Sequence, residues 1–306
     1  MIGLLLIGLA FVMVALIGHT VYSLTHPPRR TYASAVARSR AGDPSEIPPA
    51  EGGPRAFESW TFESRGNALP VWDMRGDDPH GPVMIVTHGW GDSRIGGLSR
   101  ASALAPLASR IVLWDMPGHG DAPGTSTLAA REPSDLIALI DRLEGTASIV
   151  LVGWSMGAAV SLVAANARAE RVIGVIAESP YRLPETPARN ALIASYLPYR
   201  VNLPVAMWLV GVEVGAGPRW NRPEPFDRAR WAAGLKCPLL VIHGGEDRIS
   251  PLGDGRTIAE AAERGRLLMV DGAGHDGIWT NPASRHLCTQ AATELVREAK
   301  ASTIAQ

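Results

Sequence analysis

A serine hydroxyl becomes a useful nucleophile only with a base beside it and donors facing the charge it generates, and this chain offers a candidate for each part. Ser155 lies in Gly153-Trp154-Ser155-Met156-Gly157, a Gly-x-Ser-x-Gly pattern whose glycines permit a sharp, strained turn and close approach of neighbouring backbone. An apolar run at 148–153 precedes it and a small-residue run at 156–167 follows it. That context predicts strand, turn and helix, with the hydroxyl raised above a sheet edge and the positive end of the helix facing it. Asp247 falls in Gly244-Gly245-Glu246-Asp247-Arg248-Ile249-Ser250-Pro251 and His275 in Gly272-Ala273-Gly274-His275-Asp276. They put a carboxylate at the end of one further strand and an imidazole in the loop after another, where the base that a serine hydroxyl needs could come from. The backbone NH of Met156, and that of Trp90 in the turn His88-Gly89-Trp90-Gly91-Asp92, are the candidate oxyanion donors.

Each candidate competes with other residues. Glu178, after the apolar run 172–177, stands at another position where an orienting acid can sit, and Glu246 neighbours Asp247. His88 is expected to shape the oxyanion turn and His119, in Pro117-Gly118-His119-Gly120, to be structural. Asp92 and Asp276 suit hydrogen bonds to loop backbone. His286 carries no role. The histidines occur singly, without the paired spacing of zinc sites, so no metal is expected, and the serine chemistry needs no cofactor.

The elements that must hold these residues are legible as short apolar runs at 83–87, 111–114, 148–153, 172–177, 238–244 and 266–271, separated by longer amphipathic stretches. Near-continuous apolar runs suit strands covered on both faces. Leu136, Ile137, Ile140 and Leu143 share a helical face, and the helix expected over 284–297 places Cys288 on its buried side. Residues 57–62 and 69–74 read as added antiparallel strands. The sum is an α/β domain with a mostly parallel, doubly wound sheet. Residues 181–236 are too long for a simple connection and rich in aromatics; they predict a helical cap making an apolar acyl pocket, against the alternative of ordinary helix core.

The motifs HGWGD, GWSMG, GGEDRISP and GAGHD, in that order at strand ends, resemble those of the α/β-hydrolase superfamily over about residues 57–306. Gly-x-Ser-Met-Gly and Asp115-x-Pro-Gly-His-Gly120 are most similar to its monoglyceride-lipase-like and serine-aminopeptidase-like branch, although Trp154 stands where many members carry His. The resemblance implies an α/β-hydrolase fold and a serine hydrolase with Ser155, Asp247 and His275 as triad. Branches that use an aspartate or cysteine nucleophile are disfavoured by Ser155.

The 306 residues carry a net charge of -1, which leaves no field for nucleic acid, and two distant cysteines, which signal neither disulfide framework nor zinc. Hydrophobic residues reach 46% against 19% charged, with mean hydropathy +0.05. The excess is amino-terminal: 1–18 is an unbroken apolar run and 1–24 has no charged side chain. A helix over 1–24 would reach about 36 Å, enough to span a bilayer. Arg29, Arg30, Arg38 and Arg40 follow it, so the positive-inside rule puts the remainder in the cytoplasm. The rival is a secretory signal peptide cut after Ala35 or Ala37, which the length of the run and its lack of a basic start disfavour. Residues 25–56, with six prolines, read as a tether. The expected protein is a membrane-anchored carboxylic ester hydrolase acting on a small-molecule or lipid ester. The alternatives are an amidase or peptidase with the same triad, a hydrolase-fold binding protein without turnover, and a membrane scaffold.

Overall fold

The computed structural model describes residues 2–49, 51–143 and 148–304; the expected domain limits at residues 1 and 306 lie outside them. Helix α1 (Ile2–Thr25) leads into a short α2 (Tyr32–Val36), after which β1 (Phe57–Ser64) and β2 (Asn67–Arg75) form a hairpin. Its two-residue turn, Arg65-Gly66, has φ of 48° and 77°, the positive pair whose twist matches that of flanking strands. Strand β3 (Val83–Thr87), α3 (Arg94–Leu104), β4 (Arg110–Trp114), α4 (Glu132–Arg142), β5 (Ile149–Trp154), α5 (Met156–Ala167) and β6 (Val172–Glu178) then alternate. Helices α6 (Glu185–Ala194), α7 (Asn202–Glu213), α8 (Pro223–Phe226) and α9 (Arg228–Ala233) follow, and β7 (Leu239–Gly244), α10 (Leu252–Ala261), β8 (Gly265–Val270) and α11 (Pro282–Ile304) complete the domain.

The eight strands form one sheet in the order β1-β2-β4-β3-β5-β6-β7-β8, with β3 to β8 parallel and the hairpin antiparallel to β4. Every residue of β3, β5 and β7 is buried, because α3 and α11 cover one face and α4, α5 and α10 the other. β4 and β5 lie on opposite sides of β3, so the carboxyl ends of β3 and β5 flank a crevice where loops diverge. The turn at 88–92 and the turn at Ser155 both open into it. Cys237 and Cys288 are free and buried.

Two segments differ from their sequence expectation. The segment 25–56, expected as a tether, makes contacts with the domain at particular residues. Pro27, Ile47 and Arg55 are buried, and Arg55 pairs with Asp77 while donating to the carbonyls of Ile47 and Arg75. Prolines prevent long helices there without preventing packing. Within the expected cap, α6 and α7 pack together, and α7 runs beside α1. The last helix, α9, instead packs on α5 and α10 as part of the helical layer.

Candidate active site

The turn between β5 and α5 holds Ser155 at φ 52°, ψ -111°, a strained conformation for a residue with a Cβ. Both flanking glycines are sterically required. A Cβ on Gly153 would sit 2.3 Å from the Gly157 carbonyl oxygen, and one on Gly157 would sit 2.0 Å from that of Thr87. The Ser155 NH donates to the Glu178 carbonyl at 2.8 Å, tying the turn to the end of β6.

His275, in the loop after β8, lies with Nε2 3.1 Å from Ser155 Oγ and Nδ1 2.8 Å from Asp247 Oδ2. A carboxylate only accepts, so Nδ1 carries the ring proton and Nε2 presents its lone pair to the serine hydroxyl. The other Asp247 oxygen, Oδ1, accepts from the NH groups of Ile249 and Ser250 at 2.9 and 2.8 Å. Burial alone would raise this carboxyl; the His275 ring and the two NH groups outweigh it and hold it below the usual range. Asp247 is therefore ionised and fixed at both oxygens. Such a chain can move the serine proton to an imidazole whose charge is then balanced.

Ser155 and His275 open onto a cavity of about 250 Å³ whose walls are mainly apolar: Leu24, Leu128, Tyr181, Pro184, Ala188 and Ile249 among them. Trp90 and Met156 line it too. Neither of their amide NH groups donates to a protein acceptor among the described residues, so both are free to receive an oxyanion. Among the described residues no three metal-ligating side chains converge.

Residues 83–285 match the model of the alpha/beta hydrolase family. The chain belongs to that family. A pimeloyl-[acyl-carrier protein] methyl ester esterase from Chromobacterium violaceum is 26% identical over 251 residues, which are 69% of this chain and 96% of that protein. One from Xanthomonas campestris is 27% identical over 235 residues, 64% and 88% of the two chains. In three dimensions the fold is similar to that of an esterase from Pyrococcus furiosus, with a TM-score of 0.65, 18% identity, and coverage of 90% of this chain and 98% of that one.

Within this hydrolase fold, the rival acid Glu178 is committed elsewhere. Its buried oxygens accept from Arg100 Nε and Nη2 at 2.6 and 2.7 Å and from Trp279 Nε1 at 2.7 Å, and no bond joins it to His275. His88 braces the turn at 88–92: its Nδ1–H donates to the Gly89 carbonyl at 2.7 Å and its Nε2 accepts from the Met116 NH at 3.0 Å. Burial pushes its imidazole down to about 4. His119 packs beside it, with ring centroids 4.9 Å apart, and is buried too. Asp92 pairs with Arg30, and Asp276 lines the cavity.

Several contacts around the site have no counterpart in the sequence reading. Trp154 donates from Nε1 to the His275 carbonyl at 3.3 Å, while the Arg100 guanidinium stacks over its indole at 4.7 Å. The Arg100–Glu178 pair thus backs the loop of His275 through Trp154. His243, fully buried in β7, donates to the Ser250 carbonyl at 2.8 Å and steadies the turn that carries Asp247. An ionisable residue inside the otherwise apolar run 238–244 was the available signal for it. The amino-terminal segment also clasps the oxyanion turn. Trp90 Nε1 donates to the Leu24 carbonyl at 2.9 Å, Arg30 Nε donates to the Gly91 carbonyl at 3.2 Å, and Leu24 and Arg30 wall the cavity. Nothing in the local sequence announces that contact.

Proposed function

We propose that this protein is a membrane-anchored serine esterase that cleaves carboxylic esters with an apolar acyl group. The observation that carries the reading is the unbroken contact from Ser155 through His275 to Asp247 at the mouth of an apolar cavity. Ser155 Oγ attacks the ester carbonyl as His275 Nε2 takes its proton. The carbonyl oxygen gains charge and is received by the Trp90 and Met156 NH groups, each such donor contributing about 10²–10³ in rate. The imidazolium protonates the departing alkoxide, and an acyl group is left on Ser155. Water, deprotonated by the same histidine, then releases the acid. The curated relatives are named as ester hydrolases, which favours an ester over an amide bond. The apolar cavity and the anchor favour a lipid ester of the monoglyceride class.

Support for an anchor comes from α1, a 24-residue helix long and apolar enough to cross a membrane, with its apolar window unburied. Its final turns are built into the fold. Thr20, Leu24, Thr25 and Pro27 are buried, Asn202 donates to Thr20 Oγ1 at 2.9 Å, and the Ser126 NH donates to the Thr25 carbonyl at 2.8 Å. Cleavage after Ala35 or Ala37 would remove a wall of the cavity, which favours retention of the helix over its loss as a signal peptide. The arginines after α1 favour a domain on the cytoplasmic face.

The test is labelling of the detergent-solubilised chain with a fluorophosphonate probe, followed by esters of graded acyl length. Labelling that disappears in Ser155→Ala, with turnover rising toward medium or long acyl chains, is the expected result. A folded wild type that resists the probe, or a Ser155→Ala variant that still labels, overturns the assignment.

A further inference from the structure

Helix α7 is apolar on every side. Leu203, Ala206, Met207 and Val210 point into the core, whereas Val205, Trp208 and Val212, at helical spacing on the other face, are 39%, 50% and 50% exposed. A helix hydrophobic all round belongs either inside a protein or in a membrane, and α7 is only half inside the protein. The turn leading into it continues the pattern, with Tyr196 and Val201 at 97% and 59% exposure. Between residues 191 and 212 the single charged side chain is Arg200.

The position of α1 says what covers this face. Residues Ile2–Val12 are exposed on every side, but from Met13 onward the helix is progressively covered, and Leu16, Ile17, Thr20 and Leu24 face the domain. Asn202, at the start of α7, bonds to Thr20, and Leu209 and Val212 lie across a groove from Val21 and Tyr22. The free stretch 2–12 reaches only about 16 Å, whereas a bilayer's hydrocarbon core is about 30 Å thick. The missing length has to come from turns of α1 that are already packed beside α7. A spanning α1 therefore draws α7 down to the membrane with it.

We infer that the outer face of α7 and the turn before it are seated in the lipid bilayer alongside α1, so that the catalytic cavity is presented at the membrane surface. This rests on the reading of α1 as a spanning helix. The composition favours lipid over a protein partner: Tyr196, Tyr199 and Trp208 with a lone Arg200 are the residue types enriched where a chain crosses from headgroups to acyl chains. Leu24, one turn beyond Thr20 on α1, is both buried against the domain and a wall of the cavity, so an acyl chain has a short path from bilayer to Ser155.

The full chain, reconstituted in phosphatidylcholine vesicles, tests this with a polarity-sensitive fluorophore on single introduced cysteines. Burial pushes the Cys237 and Cys288 thiols up to about 11 and about 12, so they stay unlabelled. Probes at Val205→Cys and Val212→Cys are expected to emit to the blue and to be quenched by spin-labelled lipid, as is one at Phe11→Cys, while one on the exposed Leu287→Cys of α11 is not. Quenching at residue 11 but not at 205 and 212 overturns the seating of the cap and leaves the anchor standing. No quenching at residue 11 removes the anchor and the inference with it. Unquenched 205 and 212 that cross-link between chains would assign the face to a second copy and also overturn it. As a functional arm, Val205→Asp with Val212→Asp is expected to slow hydrolysis of a vesicle-borne long-chain ester about tenfold while a soluble short-chain ester in detergent is cleaved at the wild-type rate; equal loss on both refutes it.

Discussion

Asp247→Asn changes one atom type and leaves the shape of the site intact, and its consequence follows from which groups surround the carboxyl. Oδ1 accepts from two backbone NH groups, at Ile249 and Ser250, and only the oxygen of an asparagine can take that place. The amide NH2 must then face His275 Nδ1, which at 2.8 Å is obliged to accept rather than donate. The ring proton moves to Nε2, the atom 3.1 Å from Ser155 Oγ, and the base has no lone pair to offer the hydroxyl. The loss expected from a triad held in the wrong tautomer is about 10⁴ in kcat, about 5.4 kcal/mol of barrier, with KM little changed. The assay is hydrolysis of a chromogenic medium-chain ester by wild type and variant at matched folding, checked by thermal melting. A variant retaining more than a tenth of wild-type kcat would refute the assignment of Asp247. Glu178, held by Arg100 and Trp279, would then need re-examination as the acid.

The buried histidine of the turn at 88–92 sets an acid limit on stability. His88 is held near 4 by burial, so between about 6.5 and 4 the unfolded chain binds a proton that the native chain does not. Stability therefore falls as pH drops through that window, by about 3 kcal/mol in full. The measurement is the melting temperature from pH 7 to 4.5: His88→Gln should show a shallower decline than wild type, and parallel curves would sink the argument. Trp154→Phe keeps the ring under Arg100 and deletes the hydrogen bond to the His275 carbonyl. A net bond of about 1 kcal/mol corresponds to about a fivefold fall in kcat at constant KM. Unchanged kcat would reduce Trp154 to packing.

The parts of the fold that reward local pattern were legible. The run at 83–87 coincides with β3 and that at 156–167 with α5, and each of the other apolar runs became a strand within a residue or two; for all but the half-buried edge strand β8, burial on both faces demands a continuous apolar segment. Ser155, Asp247 and His275 were legible for a related reason: the glycines that sharpen their turns are themselves local signals. What stayed hidden is made by contacts between distant residues. Arg100 and Glu178 lie far apart in sequence, and neither neighbourhood advertises the other. Leu24 and Arg30 meet the turn at 88–92 across the intervening hairpin and β3. The composition of 25–56 reads as a tether, yet composition cannot reveal which residues of an irregular segment are buried, and here Pro27, Ile47 and Arg55 are.

On the proposed reading of α1 as an anchor, the clasp of residues 24–30 on the turn at 88–92 removes the usual modularity of such a helix. A generic membrane helix can be exchanged as a cassette, since only its length and greasiness matter to the lipid. Here the exchangeable cassette ends near Val12. From Met13 the helix answers to the cap, and from Leu24 it answers to the chemistry, with the Leu24 carbonyl receiving the Trp90 indole and Arg30 bracing Gly91 and Asp92. Trimming at residue 57 would discard Leu24 and Arg30, two walls of the cavity beside Ser155, so on the proposed reading the smallest active unit begins inside the apolar amino-terminal helix itself.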